Sequence, residues 1–386
     1  MLGAETRASL LAVSVSQPIS AEEIEQLGSE ASELARRSGD ARLAAHVVLS
    51  NRWGWVSRGG DARAVERDVE QALETAEQLG DQGLQVRGWL LLTLRGLQSG
   101  SLERALRASD RALELRQVLG ERPRGAPWYG MRLPLVLVVR STLLQEQGRL
   151  AEARAELERG LRVAEEGSDL ANLGVGLGTL ALLAETLGDV GLARASALRA
   201  RDTAAQTGST TGMVLAEHGW GLASLLAGDI REAAAAQARA LELIRATNTM
   251  RVVESGVLGA LAHAHARLGD PLAREESLAA VKLPSARPAF VRLDRARVLR
   301  ILDGLAARSE IEDVLREVER LARERGHRIG LPFVHEERAE LALLLGDEAT
   351  RVRELREAQR LFLEMGEPLR AEQIEARLAP ARGAAP

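Results

Sequence analysis

The stretch "LGDVGLARASALRAR", Leu187 to Arg201, returns through the chain with only its side chains changed. It has counterparts in "SGSLERALRASDRAL" (99–113), "QGRLAEARAELERGL" (147–161), "AGDIREAAAAQARAL" (227–241) and "LGDEATRVRELREAQ" (345–359). "GGDARAVERDVEQAL" (59–73) and "LGDPLAREESLAAV" (268–281) follow the same plan. The glycines that open these stretches are Gly60, Gly100, Gly148, Gly188, Gly228, Gly269 and Gly346, spaced 40, 48, 40, 40, 41 and 77 residues apart. The last interval is close to two periods. A second series, Gly39, Gly80, Gly120, Gly167, Gly208, Asn248, Gly326 and Gly366, runs about half a period out of step. Glycine and asparagine tolerate a positive φ and so end helices. Two interleaved series of helix ends describe a repeated helix–turn–helix unit.

Small residues recur at fixed offsets from the opening glycine. Five positions on stand Ala105, Ala153, Ala193 and Ala233; twelve on stand Ala72, Ala112, Gly160, Ala200, Ala240 and Ala358. These offsets put small side chains on one helical face, about two turns apart, where a neighbouring helix must come close. The residue after the glycine is Asp at 61, 189, 229, 270 and 347 and Ser at 101, types that accept backbone N–H bonds and cap the next helix.

The one stretch that reads badly in isolation is "WYGMRLPLVLVVRSTLLQEQGRL" (128–150), with a β-branched run beside Pro134. The repeat assigns it. Gly148 is a turn glycine, so 133–147 is a first helix, with Pro134 in its first turn, where a missing N–H does no harm. The long interval places about seven extra residues between Gly120 and Leu133, a loop carrying Arg124, Trp128, Tyr129 and Arg132 at the rim. The regularity also falters between Gly269 and Gly346. "VKLPSARPAF" carries Pro284 and Pro288, and Ser309 and Glu312 after it are spaced as a capping box, so a helix pair persists there without its glycine. These features divide the chain into a main array (1–282), a hinge or irregular loop (283–290), C-terminal helix pairs with a cap (291–379) and a tail (380–386). Residues 4–16 are placed as the first helix of a partial leading unit.

Composition narrows the function classes. The 386 residues are 46% hydrophobic and 27% charged, but only 2% aromatic, so the core is built from Leu, Ala and Val. A net charge of −4 without a long basic block argues against a nucleic-acid surface. Lys282 is the only lysine and stands between Val281 and Leu283, so no Gly-Lys-Ser/Thr phosphate loop exists. With no cysteine, disulfides, thiolate metal sites and thiol nucleophiles are excluded. Glu5 and a short apolar run, Ala8 to Val13, make a poor signal peptide, and nothing approaches a membrane span of about 18 apolar residues, which points to the cytoplasm.

Catalytic constellations are missing too. His263 and His265 are two apart on nearly opposite helical faces and cannot share a metal. Gly174, Gly176 and Gly178 lack the dinucleotide-loop spacing and fit close helix packing instead. Glu165–Glu166 and Glu336–Glu337 sit in charge-rich helical stretches that read as solvated faces. No enzyme, no cofactor and no metal is expected.

The turn glycine with alanines five and twelve positions on resembles the second helix of the tetratricopeptide repeat, although the period is about 40 rather than ~34 residues. The resemblance implies an all-α, right-handed superhelical solenoid of about eight antiparallel helix pairs, binding a partner on the concave face lined by first helices. Carried back from each turn glycine, the family's concave positions are Arg58, Arg87, Gln145, Glu185, His218, His263, Arg267, Glu336 and Glu340. A broader likeness lies in "RSTLLQEQGRLAEARAELERGLRVAEEGSD" (140–169), "HGWGLASLLAGDIREAAAAQARALELIRAT" (218–247), "LGALAHAHARLGD" (258–270) and "ERAELALLLGDEATRVRELREAQRLFLEMGEPLRAEQIEARLA" (337–379). In this order they look like the C-terminal helical-repeat region of large bacterial signalling proteins, in which the repeats follow an AAA or NACHT-type ATPase module, often behind an adenylate cyclase or protein kinase. Similar tails occur in large ATP-dependent transcriptional activators. The implied role is a protein-interaction scaffold in signalling, with a peptide or protein partner and neither nucleic acid nor membrane. The alternative is a small-molecule sensor arm controlling an ATPase, cyclase or kinase, in trans or as the tail of a longer protein.

Overall fold

The computed structural model describes residues 3–4, 6–8, 21–57, 62–99, 101–119 and 133–378. Among them there is no strand. Eighteen α-helices follow one another: α1 (Ala21–Ser38), α2 (Ala41–Ser57), α3 (Ala62–Gln78), α4 (Gln82–Ser99), α5 (Leu102–Leu119), α6 (Leu133–Glu146), α7 (Leu150–Glu166), α8 (Leu170–Leu187), α9 (Val190–Thr207), α10 (Thr210–Ala227), α11 (Ile230–Thr247), α12 (Arg251–Leu268), α13 (Ala273–Lys282), α14 (Pro288–Asp303), α15 (Arg308–Arg325), α16 (Gly330–Leu345), α17 (Glu348–Glu364) and α18 (Pro368–Leu378). Helices α2 to α17 form eight antiparallel pairs, and α18 caps them. Of the proposed leading helix, residues 4 and 6–8 are helical, with Ala4 and Ala8 packed on Ala31 and Ala35 of α1; the rest lies outside the described residues.

The repeat works as a packing device. Ala105, Ala153, Ala193 and Ala233, and Ala112, Ala200, Ala240 and Ala358, are all fully buried. At Gly160 a β-carbon would stand 3.2 Å from Leu137 Cβ and 3.3 Å from the Pro134 carbonyl, so the twelfth position tolerates little beyond hydrogen. Second helices bury one stripe, as α11 does with Ala233, Ala236, Gln237, Ala240, Leu241 and Ile244. First helices are enclosed on nearly every side. The glycines of α8 confirm the packing role: a β-carbon on Gly178 would fall 2.6 Å from Leu215 Cβ, and one on Gly176 2.8 Å from Leu161 Cδ2.

Turn chemistry follows the sequence with instructive departures. Gly148, Gly188, Gly228, Gly269 and Gly346 all take φ between +71° and +85°. Asp189 and Asp347 accept from the backbone N–H three residues on, but Asp229 makes no such cap. Gly167 has φ −84°, and the left-handed residue there is Ser168, at +50°. The capping box at Ser309 is overturned. Helix α15 begins at Arg308 without a side-chain cap, after a 3-10 turn at Gly304–Ala307, and Ser309 lies inside it. The unit does have its glycine, Gly304 at φ +56°. In the proline segment, 283–287 is irregular, whereas Pro288 and Phe290 already belong to α14.

One further expectation fails. Helix α8 has the length and mean hydropathy (1.5 over 18 residues) of a membrane span, but 72% of it is buried inside the protein, because a first helix surrounded by neighbours needs no polar face.

The array also closes on itself. Leu150 N–H donates to the Met365 carbonyl (3.2 Å) and Ile329 N–H to the Glu146 carbonyl (3.2 Å). Arg370 on α18 donates to the carbonyls of Thr186 (3.0 Å) and Glu185 (3.1 Å) at the end of α8, and Gln373 donates to that of Gly188 (3.0 Å). One hydrophobic core accordingly runs from Val138 of α6 through Leu183 of α8 to Phe333, Phe362 and Ile374. The concave side of the back half becomes an interior.

Candidate ligand-binding cavity

The interior holds a cavity of about 300 Å³. Its wall is built from successive first helices: Glu185 of α8, His218 of α10, Gly256, His263 and Arg267 of α12, Phe290, Asp294 and Arg297 of α14, and Phe333 and Glu336 of α16. Arg287 enters from the irregular segment and Arg370 from α18. First helices contribute because they form the inner side of the coil, one from each successive unit.

The two histidines and Asp294 of the wall are held away from their ordinary titration ranges. His218 Nδ1 lies 2.8 Å from Gln237 Oε1, and Gln237 Nε2 donates to the His218 carbonyl (3.1 Å), which fixes the amide so that Nδ1 must be the donor. Burial and, to a smaller extent, the Arg287 charge push the His218 pKa down to about 4, against the contribution of the Gln237 bond. At neutral pH the ring is therefore uncharged, and its Nε2 is a lone-pair acceptor. Burial and then the Arg297, Arg267 and Arg300 charges hold His263 well below the usual histidine range. Its Nδ1 lies 3.7 Å from Asp294 Oδ1. Burial raises Asp294 to about 6 despite the Arg297 contact at 3.0 Å. Glu336 holds Arg377 through Oε2 (2.7 Å), and its buried Oε1 has no hydrogen-bond partner.

The floor is aromatic. Phe290, Phe333 and Phe362 are the only phenylalanines in the chain; the first two line the cavity, and the three pack in sequence, tilted and then edge-on, with ring centroids 5.4 and 5.3 Å apart. Arg287 lies over Phe290 (3.9 Å) and Arg370 over Phe333 (5.4 Å), so guanidinium faces and aromatic faces hold each other in place.

Five of the residues picked from the repeat, Glu185, His218, His263, Arg267 and Glu336, meet at this cavity. The others do not. Arg87 is 3% exposed, lies 3.3 Å from His46 Nδ1 and is pushed down to about 10 by burial, so it offers nothing to a partner. Gln145 is buried and donates to Thr186 Oγ1 (2.8 Å). Glu340 pairs with Arg377 (2.8 Å) away from the cavity. Arg58 and the rim-loop residues Arg124, Trp128, Tyr129 and Arg132 lie outside the described residues. Arg287, Phe290, Asp294, Arg297, Phe333 and Arg370 are not among the residues that the repeat picks out, yet all line the cavity. Five of these lie between Gly269 and Gly346, where the glycine register breaks, and the confinement of phenylalanine to 290, 333 and 362 was the available signal. Among the described residues no group of acidic, histidine or cysteine side chains could hold a metal.

No protein-family model matches the chain. No curated protein matches it. Solved structures do. A Rap protein complexed with competence and sporulation factor superposes with a TM-score of 0.63 at 13% identity, over 95% of this chain and 98% of its own. The Rap conjugation gene regulator of plasmid pLS20, in complex with its Phr peptide, gives 0.57 at 13% identity, over 99% and 98%. The chain has a tetratricopeptide-like helical-repeat fold. A signal-transduction ATPase with a tetratricopeptide-repeat sensor from Pyrococcus horikoshii also matches, at a TM-score of 0.42 and 14% identity, over 93% of this chain and 56% of that one.

Proposed function

We propose that this protein is a non-enzymatic regulatory scaffold that takes a short peptide, or an extended segment of a protein, into the inner cavity. The observation that carries the reading is the meeting of five successive first helices and α18 at one place, where acceptors, cations and aromatic faces are already ordered. His218 Nε2 suits a peptide N–H, Arg267 and Arg287 suit carbonyls or a carboxylate, and Glu185 and Glu336 suit an amine. The similar Rap structures, one complexed with competence and sporulation factor and one with the Phr* peptide, add support. A ligand touching both α12 and α18 favours the closed coil over an opened one, and that difference in affinity is what a signalling partner such as an ATPase, cyclase or kinase module reads. A cytoplasmic site of action fits this role.

Selection of a displayed short-peptide library against the full chain tests the proposal. Peptides enriched on the wild-type protein should lose at least tenfold in affinity on Arg267→Glu, a change at an exposed position that leaves the core intact. Equal enrichment on both proteins would sink it. The cavity's size, about 300 Å³, also matches a small molecule. That second reading gains if metabolites, but no peptides, raise the melting temperature.

A further inference from the structure

Behind the polar cavity lies a second chamber of about 260 Å³. It is formed by the front half of the coil meeting the middle, with Trp53 of α2, Val139 of α6, Val175 and Leu182 of α8, Leu215 of α10 and Val252 of α12 in its wall. The polar side chains among its lining residues are largely engaged. Thr142 and Thr179 donate to carbonyls one turn back, at 3.2 and 2.9 Å, and Gln98 donates to the Val56 carbonyl at 3.0 Å. Among the described residues, the single charged one lining it is Arg287, which also lines the polar cavity.

Two physical facts bear on such a space. A carbon-lined void offers water too few partners to hold it, and an empty one forfeits dispersion contacts in its wall. A void of ~150 Å³ admits benzene, so this chamber has room for a chain of about eight to ten carbons. Arg287 lies where the chamber adjoins the polar cavity. Its guanidinium rests on Phe290 (3.9 Å) and its Nη2 donates to Thr186 Oγ1 (2.9 Å), while Nε makes no hydrogen bond. The nearest carboxylate, Glu146 Oε1, is 3.6 Å from Nε, and Glu146 already uses Oε2 with His327 at 2.8 Å. A held guanidinium with an unused donor beside an apolar chamber is complementary to a carboxylate on an aliphatic chain.

We propose that this chamber binds a medium-chain aliphatic carboxylate, with the chain among Val139, Val175, Leu182 and Leu215 and the carboxylate on Arg287, sharing that guanidinium with Glu146. The proposal stands apart from the peptide reading, although a ligand here would sit against the polar cavity and tune what enters it.

Decanoate is the probe, measured on the full chain by titration calorimetry and thermal shift. Saturable one-to-one binding is expected, with a melting temperature that rises with concentration. Decanol, the same chain without the charge, should bind at least tenfold more weakly, and Arg287→Gln should bring decanoate down to the level of decanol. Val139→Phe and Val175→Phe fill the chamber from two different helices. Whichever keeps the wild-type circular dichroism spectrum should lose decanoate, whereas Arg267→Glu should keep it. Absence of saturable binding to the wild type, equal affinity for decanoate and decanol, or undiminished binding by a folded filled variant would each overturn the proposal. So would a chamber that rejects decanoate but whose filling weakens a peptide selected on the polar cavity, since its occupant would then be a peptide side chain.

Discussion

Gly178 and Gly191 carry the same side chain in neighbouring helices, yet their surroundings demand opposite responses to a methyl group. On Gly178 the new carbon would stand 2.6 Å from Leu215 Cβ and 3.2 Å from the Leu215 carbonyl carbon, in a wall that cannot yield without moving α10. On Gly191, exposed in the first turn of α9, it would meet nothing closer than Asp189 Oδ1 at 3.5 Å. Gly178→Ala should therefore destabilise the protein by about 1–3 kcal/mol, the range for overpacking. Gly191→Ala should stabilise it by up to about 1 kcal/mol through helix propensity. Urea denaturation of the two variants reads both signs, and a stabilised Gly178→Ala would contradict the close α8–α10 approach. The spacing of Gly174, Gly176 and Gly178 was enough to reject a nucleotide loop and expect packing. It could not say which of the three is tightest, because that depends on where α10 crosses.

At the scale of the element, the repeat period made nearly every helix legible, including α6, whose β-branched sequence favours a strand when taken alone. The 40-residue spacing outweighed local propensity because a strand there would leave the faces of α5 and α7 without a partner. The register failed where a unit changed its turn: Gly304 stands 35 residues after Gly269, and Pro288 starts a helix where the proline pair suggested a break. Closure of the coil was not legible at all. It depends on small rotations between successive units, which glycine spacing does not record. Arg370 is the residue on which the closure can be tested, since one side chain joins α18 to two carbonyls of α8 and to the Phe333 and Phe362 rings. Arg370→Ala should cost about 2–4 kcal/mol, as expected for hydrogen bonds to a charged group together with cation–π contacts. Amide exchange should accelerate in both 368–378 and 185–188 while α2 to α5 keep their protection. Faster exchange in α18 alone would mean that α18 frays at the end of the chain and holds nothing else closed.

Across the whole molecule, burying histidines inside an α-helical coil has a consequence for acid stability. His218 is held to about 4 and His46 to about 3, both chiefly by burial, and His263 is held well below its ordinary value. Each is neutral in the folded protein but takes up a proton near pH 6.5 once unfolded. The unfolded chain then binds more protons, so the stability these groups contribute is complete above about pH 6.5 and is lost as pH falls towards their folded values. Asp294 works in the other direction: burial raises it to about 6 from an ordinary 3.8, so its contribution is present at low pH and disappears as pH rises through 6. Three histidines against one aspartate leave a net loss on acidification, on the order of 1 kcal/mol per pH unit for each histidine below its unfolded pKa. The urea midpoint should fall steadily from pH 7 to pH 5, and His218→Gln, which removes one titrating group from the cavity wall, should flatten that slope by about a third above pH 6 and by about half below it, where Asp294 offsets one histidine. Ligand in the polar cavity should flatten it as well, because a peptide N–H on His218 Nε2 occupies the lone pair that acid would protonate. An urea midpoint that is constant between pH 7 and pH 5 would show that these rings are solvated and that the coil is open in solution.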